Sequence, residues 1–124
     1  MSIKITTAIE GTPERIENEN GVAIKFRDGT MICTKRIEYP SIPITTAFGS
    51  DFMSEAMWLG TEYAAEFTEI YNEQVTVITK SDAGAWYQVA HNAATGELMF
   101  SLVRATSKTA TDVKAEVMAI GRWK

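Results

Sequence analysis

Apolar and polar residues alternate at every second position over much of this chain, most sharply between Gly21 and Arg36. Val22, Ile24 and Phe26, then Met31 and Cys33, fall on one side of an extended backbone. Lys25, Arg27, Thr30, Thr34 and Arg36 fall on the other, because side chains of a strand point alternately to its two faces. Asp28-Gly29 separates the two runs and offers the two positive-φ positions of a type I′ turn. A two-residue loop there sets Phe26 opposite Met31 and Ile24 opposite Cys33, giving a hairpin with one apolar face. Ile32 interrupts the polar face.

Further strands follow by the same rule. Gln74–Thr79 and Trp86–His91 are rich in β-branched and aromatic residues, and the turn residues Ser81–Gly84 stand between them. Asn92–Gly96 turns the chain back into a run where Leu98, Phe100 and Leu102 alternate with Met99, Ser101 and Val103. Thr106–Thr111 reads as a polar loop. Val113, Ala115, Val117 and Ala119 then alternate with Lys114, Glu116, Met118 and Ile120, up to Gly121. The core is expected to hold Val22, Ile24, Phe26, Leu98, Phe100, Leu102, Val113 and Val117.

Other stretches are open. Phe52, Ala56 and Leu59 fit a helical stripe, while Ala56–Leu59 also fits a strand. In Thr61–Tyr71 the alanines and glutamates favour a helix by propensity, yet Tyr63, Ala65, Phe67 and Tyr71 alternate like a strand. Pro40 and Pro43 force an extended course on Tyr39–Pro43. Thr45–Asp51 reads as loop. Ile3–Ile9 could be a short strand, and residues 1–20 are a connector or a first strand ahead of a domain at 21–124. No helices stand between strands to carry parallel crossovers, so the expected class is all-β and antiparallel.

Three short motifs after the hairpin add a resemblance. The Ile-Lys-Phe, Asp-Gly-Thr and Met-Ile-Cys sequence of the hairpin, Thr46–Ser50, Tyr63–Phe67 and the closing Met118–Lys124 occur in the order seen in C-terminal domains of bacteriophage tail-fibre and baseplate proteins. The chain resembles that family from Gly21 to its end. It departs from the pattern at Ile70–Glu73, where such domains often carry a proline. The resemblance implies a small antiparallel β-sandwich related to H-type lectins, a homotrimer, and a place at a virion tip that meets the host surface. It also favours the strand reading of Thr61–Tyr71.

Composition narrows the function. The 124 residues suit one domain, and at 45% hydrophobic they can build a core. A net charge of −4 disfavours nucleic acid and anionic membrane as partners. No apolar run reaches the ~20 residues of a membrane helix, and the N-terminus lacks a signal-peptide pattern. Synthesis in the bacterial cytoplasm and release within a virion is the expectation.

Catalytic patterns are missing. One cysteine, Cys33, and one histidine, His91, allow neither a zinc set nor a motif-linked nucleophile pair. No Gly-rich phosphate loop occurs. Asp51 with Glu55, and Glu62 with Glu66, read as solvated faces. No enzyme activity, cofactor or metal is therefore expected.

The aromatic residues carry the candidate site. A ring can lie against the apolar face of a sugar while polar neighbours hold its hydroxyls. Trp86 is the platform candidate, with Asp82, Arg104 and Asp112 as hydroxyl partners near the Ser81–Tyr87 and Thr106–Asp112 loops, and His91 joining them if its strand end lies nearby. Trp123 reads as a plug or interface residue, and Trp58 lies in the unclassified segment. The expected function is attachment to a host-surface glycan alongside other tail proteins, the alternative a purely structural cap or trimerisation module.

Overall fold

A computed structural model describes residues 12–79 and 84–124. Among these the chain is all-β, with no helix. Ten strands follow in order: β1 Glu14–Asn18, β2 Gly21–Lys25, β3 Thr30–Ile44, β4 Thr46–Phe48, β5 Asp51–Met53, β6 Met57–Trp58, β7 Glu69–Thr79, β8 Trp86–His91, β9 Leu98–Arg104 and β10 Lys108–Arg122. They form two antiparallel sheets, one ordered β1-β2-β3-β10-β7, the other β4-β5-β9-β6 with β8 also on β9. The expected Ile3–Ile9 strand and Ser81–Gly84 turn lie outside the described residues, apart from Gly84.

By packing, the chain divides into two compact units. One holds the described residues up to Lys35 with Glu62–Gln74 and Val117–Lys124; the other holds Arg36–Thr61 and Val75–Glu116. The long strands β3, β7 and β10 contribute to both.

In the first unit the hairpin exists, but its register is one residue away from expectation. Ala23 faces Cys33, Ile24 faces Ile32 and Lys25 faces Met31. The cause is the turn. Phe26 N donates to Thr30 O, Gly29 N to Phe26 O, and Thr30 N to Asp28 Oδ1. Gly29 takes a φ of 97° and Asp28 does not take a positive φ, so the loop is Arg27-Asp28-Gly29 rather than a type I′ pair. A one-residue slip exchanges the faces of a strand. Ala23, Met31 and Cys33 are therefore the fully buried set, while Val22, Ile24 and Phe26 are only half-buried.

Two backbone bonds carry the register onward. Trp123 N donates to Gly29 O and Thr68 N to Arg122 O. In antiparallel ladders these set Ile120 opposite both Ile32 and Ile70. Ile24, Ile32, Ile120 and Ile70 thus form a row across four strands on the face turned away from Cys33. Ile70 is 43% exposed, and Met118 on the same face 37%.

Residues 61–68 are neither the favoured strand nor a helix. They cover the inner face of the first unit as an irregular segment, because Ala23, Met31 and Cys33 need a lid and no second sheet is described there. Ala64 is buried, and Tyr63, Ala65 and Phe67 pack on the cluster. Side chains satisfy the segment's backbone: Asn18 Nδ2 donates to Ala64 O and Lys35 Nζ to Glu62 O. Tyr63 and Phe67 meet edge to face at 5.5 Å. Trp123 packs on the same cluster and donates its indole N–H to Phe26 O at 2.8 Å.

In the second unit the buried faces are those expected. Leu98, Phe100 and Leu102 of β9 and Val113 and Ala115 of β10 are all at most 3% exposed. Tyr39 of β3 meets Phe100 edge to face at 5.6 Å and donates its hydroxyl to Trp58 O. Two expected loops are strands instead. Thr46–Phe48 and Asp51–Met53 form a hairpin around Gly49, whose φ of 61° suits the first position of a two-residue turn. Lys108–Thr111 belong to β10, so the polar loop shrinks to Ala105–Ser107. The prolines of β3 fall beyond Thr34, past its pairing with β2, where a missing N–H costs no bond to β2.

Candidate functional site

The face of the second sheet turned away from Phe100 is built around β9. On one side of β9, β8 pairs in full: Trp86 with Val103, Gln88 with Ser101, Ala90 with Met99. On the other side, Met53 of β5 pairs with Val103, and Trp58 of β6 with Met99. Paired residues of neighbouring strands share a face. Trp86, Gln88, Ala90, Met99, Ser101, Val103, Met53 and Trp58 therefore line one surface, with Thr46 beyond Met53. None of these paired positions is charged. Trp86 is 68% exposed and Trp58 43%.

The other sequence-derived candidates do not gather at Trp86. Arg104 lies on the opposite face, since it follows Leu102 in alternation and pairs with Phe52. Its Nε donates to Gly84 O at 3.0 Å, tying the start of the β8 approach to β9. His91 ends β8 opposite Leu98, roughly 17 Å along the strand from Trp86. Asp82 lies outside the described residues. Asp112 sits on β10 in the other sheet, because the expected Thr106–Asp112 loop is strand from Lys108 onward.

Asp112 has a structural task. Its Oδ1 accepts the Ser41 N–H at 3.1 Å, and Ser41, between Pro40 and Pro43, holds a φ of 55°. A non-glycine residue in that region is strained, and the hydrogen bond helps to hold it. Glu38, Tyr39, Pro40, Asp112, Val113 and Lys114 line a shallow depression of about 240 Å³ there. Burial, then the charge of Glu97, pushes the Tyr39 hydroxyl up to about 12, so it remains a donor to Trp58 O.

Trp58 is the residue that sequence reasoning left unplaced. The Ala56–Leu59 alternation was its signal: Met57 and Leu59 are 6% and 2% exposed, and Trp58 points away from them.

Cys33 is buried against Ala65, and burial raises its thiol above the usual range. A protonated, enclosed thiol is a poor nucleophile. In native protein at pH 8 it is expected to react with a disulfide reagent about a hundredfold more slowly than after denaturation, since reaction must await local opening. Equal rates would show an open first unit. Among the described residues, no group of three or more His, Cys, Asp or Glu side chains is placed to hold a metal ion.

These features define an all-β protein that presents a sheet face bearing two exposed tryptophans, with uncharged residues at the paired positions between them. No family model, curated protein or solved structure matches the chain.

Proposed function

We propose that this chain is the distal domain of a bacteriophage tail fibre or baseplate protein, a non-enzymatic tip that attaches the virion to a host-surface glycan. The observation that carries the reading is Trp86, 68% exposed on a sheet face and paired across the ladder with the uncharged Val103. A soluble protein rarely leaves so large a ring in water without use, and sugars present flat apolar faces to such rings. The order of the tail-fibre motifs supports the same reading. In this proposal the two antiparallel sheets form an H-type lectin-like β-sandwich, and three copies act together beside other tail proteins. Weak single sites then gain avidity from simultaneous engagement.

The second reading, a structural cap or trimerisation module, draws on the isoleucine row of the first unit. Ile24, Ile32, Ile120 and Ile70 on one face, with Met118 nearby, offer apolar surface that a neighbouring copy would cover. The two readings share the trimer and differ in the sugar. Light scattering at micromolar concentration should give three times the chain mass, and a monomer mass would overturn the trimer. Adsorption to a panel of bacteria and to their purified wall polysaccharides should fall sharply in a folded Trp86→Ala variant. Unchanged adsorption would move the site; no adsorption by the unmodified protein would leave the structural module.

A further inference from the structure

Trp86 and Trp58 stand on the same face of the second sheet, on opposite sides of β9 and four β9 residues apart. At strand rise and strand spacing, that is roughly 13 Å along β9 and about 10 Å across it, or about 16 Å on the diagonal. Met99 and Val103 lie half-buried between the two rings, with Ser101 at 7% exposure in the middle and the Gln88 amide beside it. The paired positions from ring to ring are therefore uncharged, with the Gln88 amide beside Ser101.

We propose that this face binds a linear, uncharged glycan chain laid diagonally from Trp86 to Trp58. The inference rests on the glycan-binding reading and specifies its ligand. Ring spacing sets the length: about 16 Å takes roughly three pyranose rings end to end, so the two tryptophans stack on the outer sugars and Gln88 reaches a hydroxyl of the middle one. A single sugar could meet one ring only.

Charge sets the class. No paired position of the face carries a cation to neutralise a carboxylate, phosphate or sulfate. Among the described residues two carboxylates border it: Asp51, paired with Phe48 one row beyond Met53, and Glu97, which accepts the Gly60 N–H at 2.9 Å near the Trp58 end. An anionic polysaccharide would meet like charge from both. Stacking on both rings at once sets the shape, since a branch would lift the chain from one of them.

The test is calorimetric titration of the unmodified protein with neutral linear oligosaccharides of two to six units. The probes are β-1,4-glucose, β-1,4-N-acetylglucosamine, β-1,4-mannose and α-1,4-glucose series, with α-1,4-galacturonate hexamer as the anionic control. Affinity for at least one neutral series should rise up to about three or four units and then level off. Trp58→Ala and Trp86→Ala should each weaken the hexamer by about threefold to tenfold, while leaving the dimer less affected. Binding that is complete at one or two units, or insensitive to Trp58→Ala while Trp86→Ala abolishes it, would overturn the extended site and leave a glycan reading at Trp86 alone. Preference for galacturonate would overturn the uncharged class. No binding to any probe would count against both the extended site and the glycan reading. Self-association that disappears in the double variant would show that a second copy, not a sugar, occupies the face.

Discussion

Replacing Phe100 by alanine is expected to destabilise the protein by about 3–5 kcal/mol. Phe100 is fully buried on β9, between Val89 of β8 and Met57 of β6. Its ring also receives the edge of Tyr39 at an interplanar angle of 74°. Truncation removes the transfer free energy of the ring and leaves a cavity whose walls come from three paired strands and cannot close inward without breaking ladder bonds. The edge contact with Tyr39 adds a loss of about 0.5–1.5 kcal/mol. Phe26→Ala is the matched control. The hairpin looks from the sequence as if Phe26 were a core residue, yet it is half-buried, so its loss should be clearly smaller, roughly 1–2 kcal/mol. Urea denaturation followed by far-UV circular dichroism gives both values. Equal costs at the two sites would mean that Phe26, not the slipped register, describes the hairpin.

That contrast marks what was legible in the sequence. β8 is legible from its β-branched and aromatic residues, although none of them is buried. Periodicity of two finds β2, β3, β9 and the second half of β10, because one face of each is more buried than the other. It could not fix the register of the first hairpin. Asp28-Gly29 is compatible with a two-residue loop and with a three-residue loop closed by Gly29, and the Thr30 N–H, donated to Asp28 Oδ1, settles the choice locally. Every face assignment in β2 then follows the turn. Residues 61–68 were illegible for another reason. Tyr63, Ala65 and Phe67 do pack inward, but so does Ala64 between them, so the apparent alternation does not hold; a segment can turn consecutive residues inward without ladder bonds when side chains such as Asn18 and Lys35 serve its carbonyls.

The candidate site was legible only in its first residue. Trp86 was found because a tryptophan beside a turn stands out in one dimension. Its companion Trp58 is 28 residues earlier in the sequence, and only the pairing of both β8 and β6 with β9 brings the two to one face. In one dimension Arg104 and Asp112 fall beside Trp86 only through their nearness to stretches that read as loops. Alternation alone puts Arg104 on the other face from Val103, and the extension of β10 to Lys108 removes the loop that was to carry Asp112.

Gly121→Ala is expected to be as damaging as the loss of Phe100, although it adds one methyl group. Gly121 is buried on β10, and a Cβ there would collide with the Glu69 carbonyl oxygen and stand 2.9 Å from Ile70 Cα. Both obstacles are backbone of β7, so no side chain can rotate aside. The pairing of β10 with β7 must open where Thr68 N meets Arg122 O, which also separates Ile120 from Ile70. The cost should reach the top of the overpacking range, about 3 kcal/mol or more. Two other glycines calibrate it. Nothing lies within 4 Å of a Cβ at Gly84 or at Gly49. Gly84→Ala should be near neutral, and Gly49→Ala should cost only the strain of its 61° φ, about 1–2 kcal/mol. Denaturation midpoints rank the three, and the rate of Cys33 labelling reports the first unit directly, since Cys33 lies on its inner face. Accelerated labelling in Gly121→Ala alone is the expected result. A Gly121→Ala protein as stable as Gly84→Ala, with Cys33 still protected, would mean that β10 and β7 do not approach as closely as the collision requires.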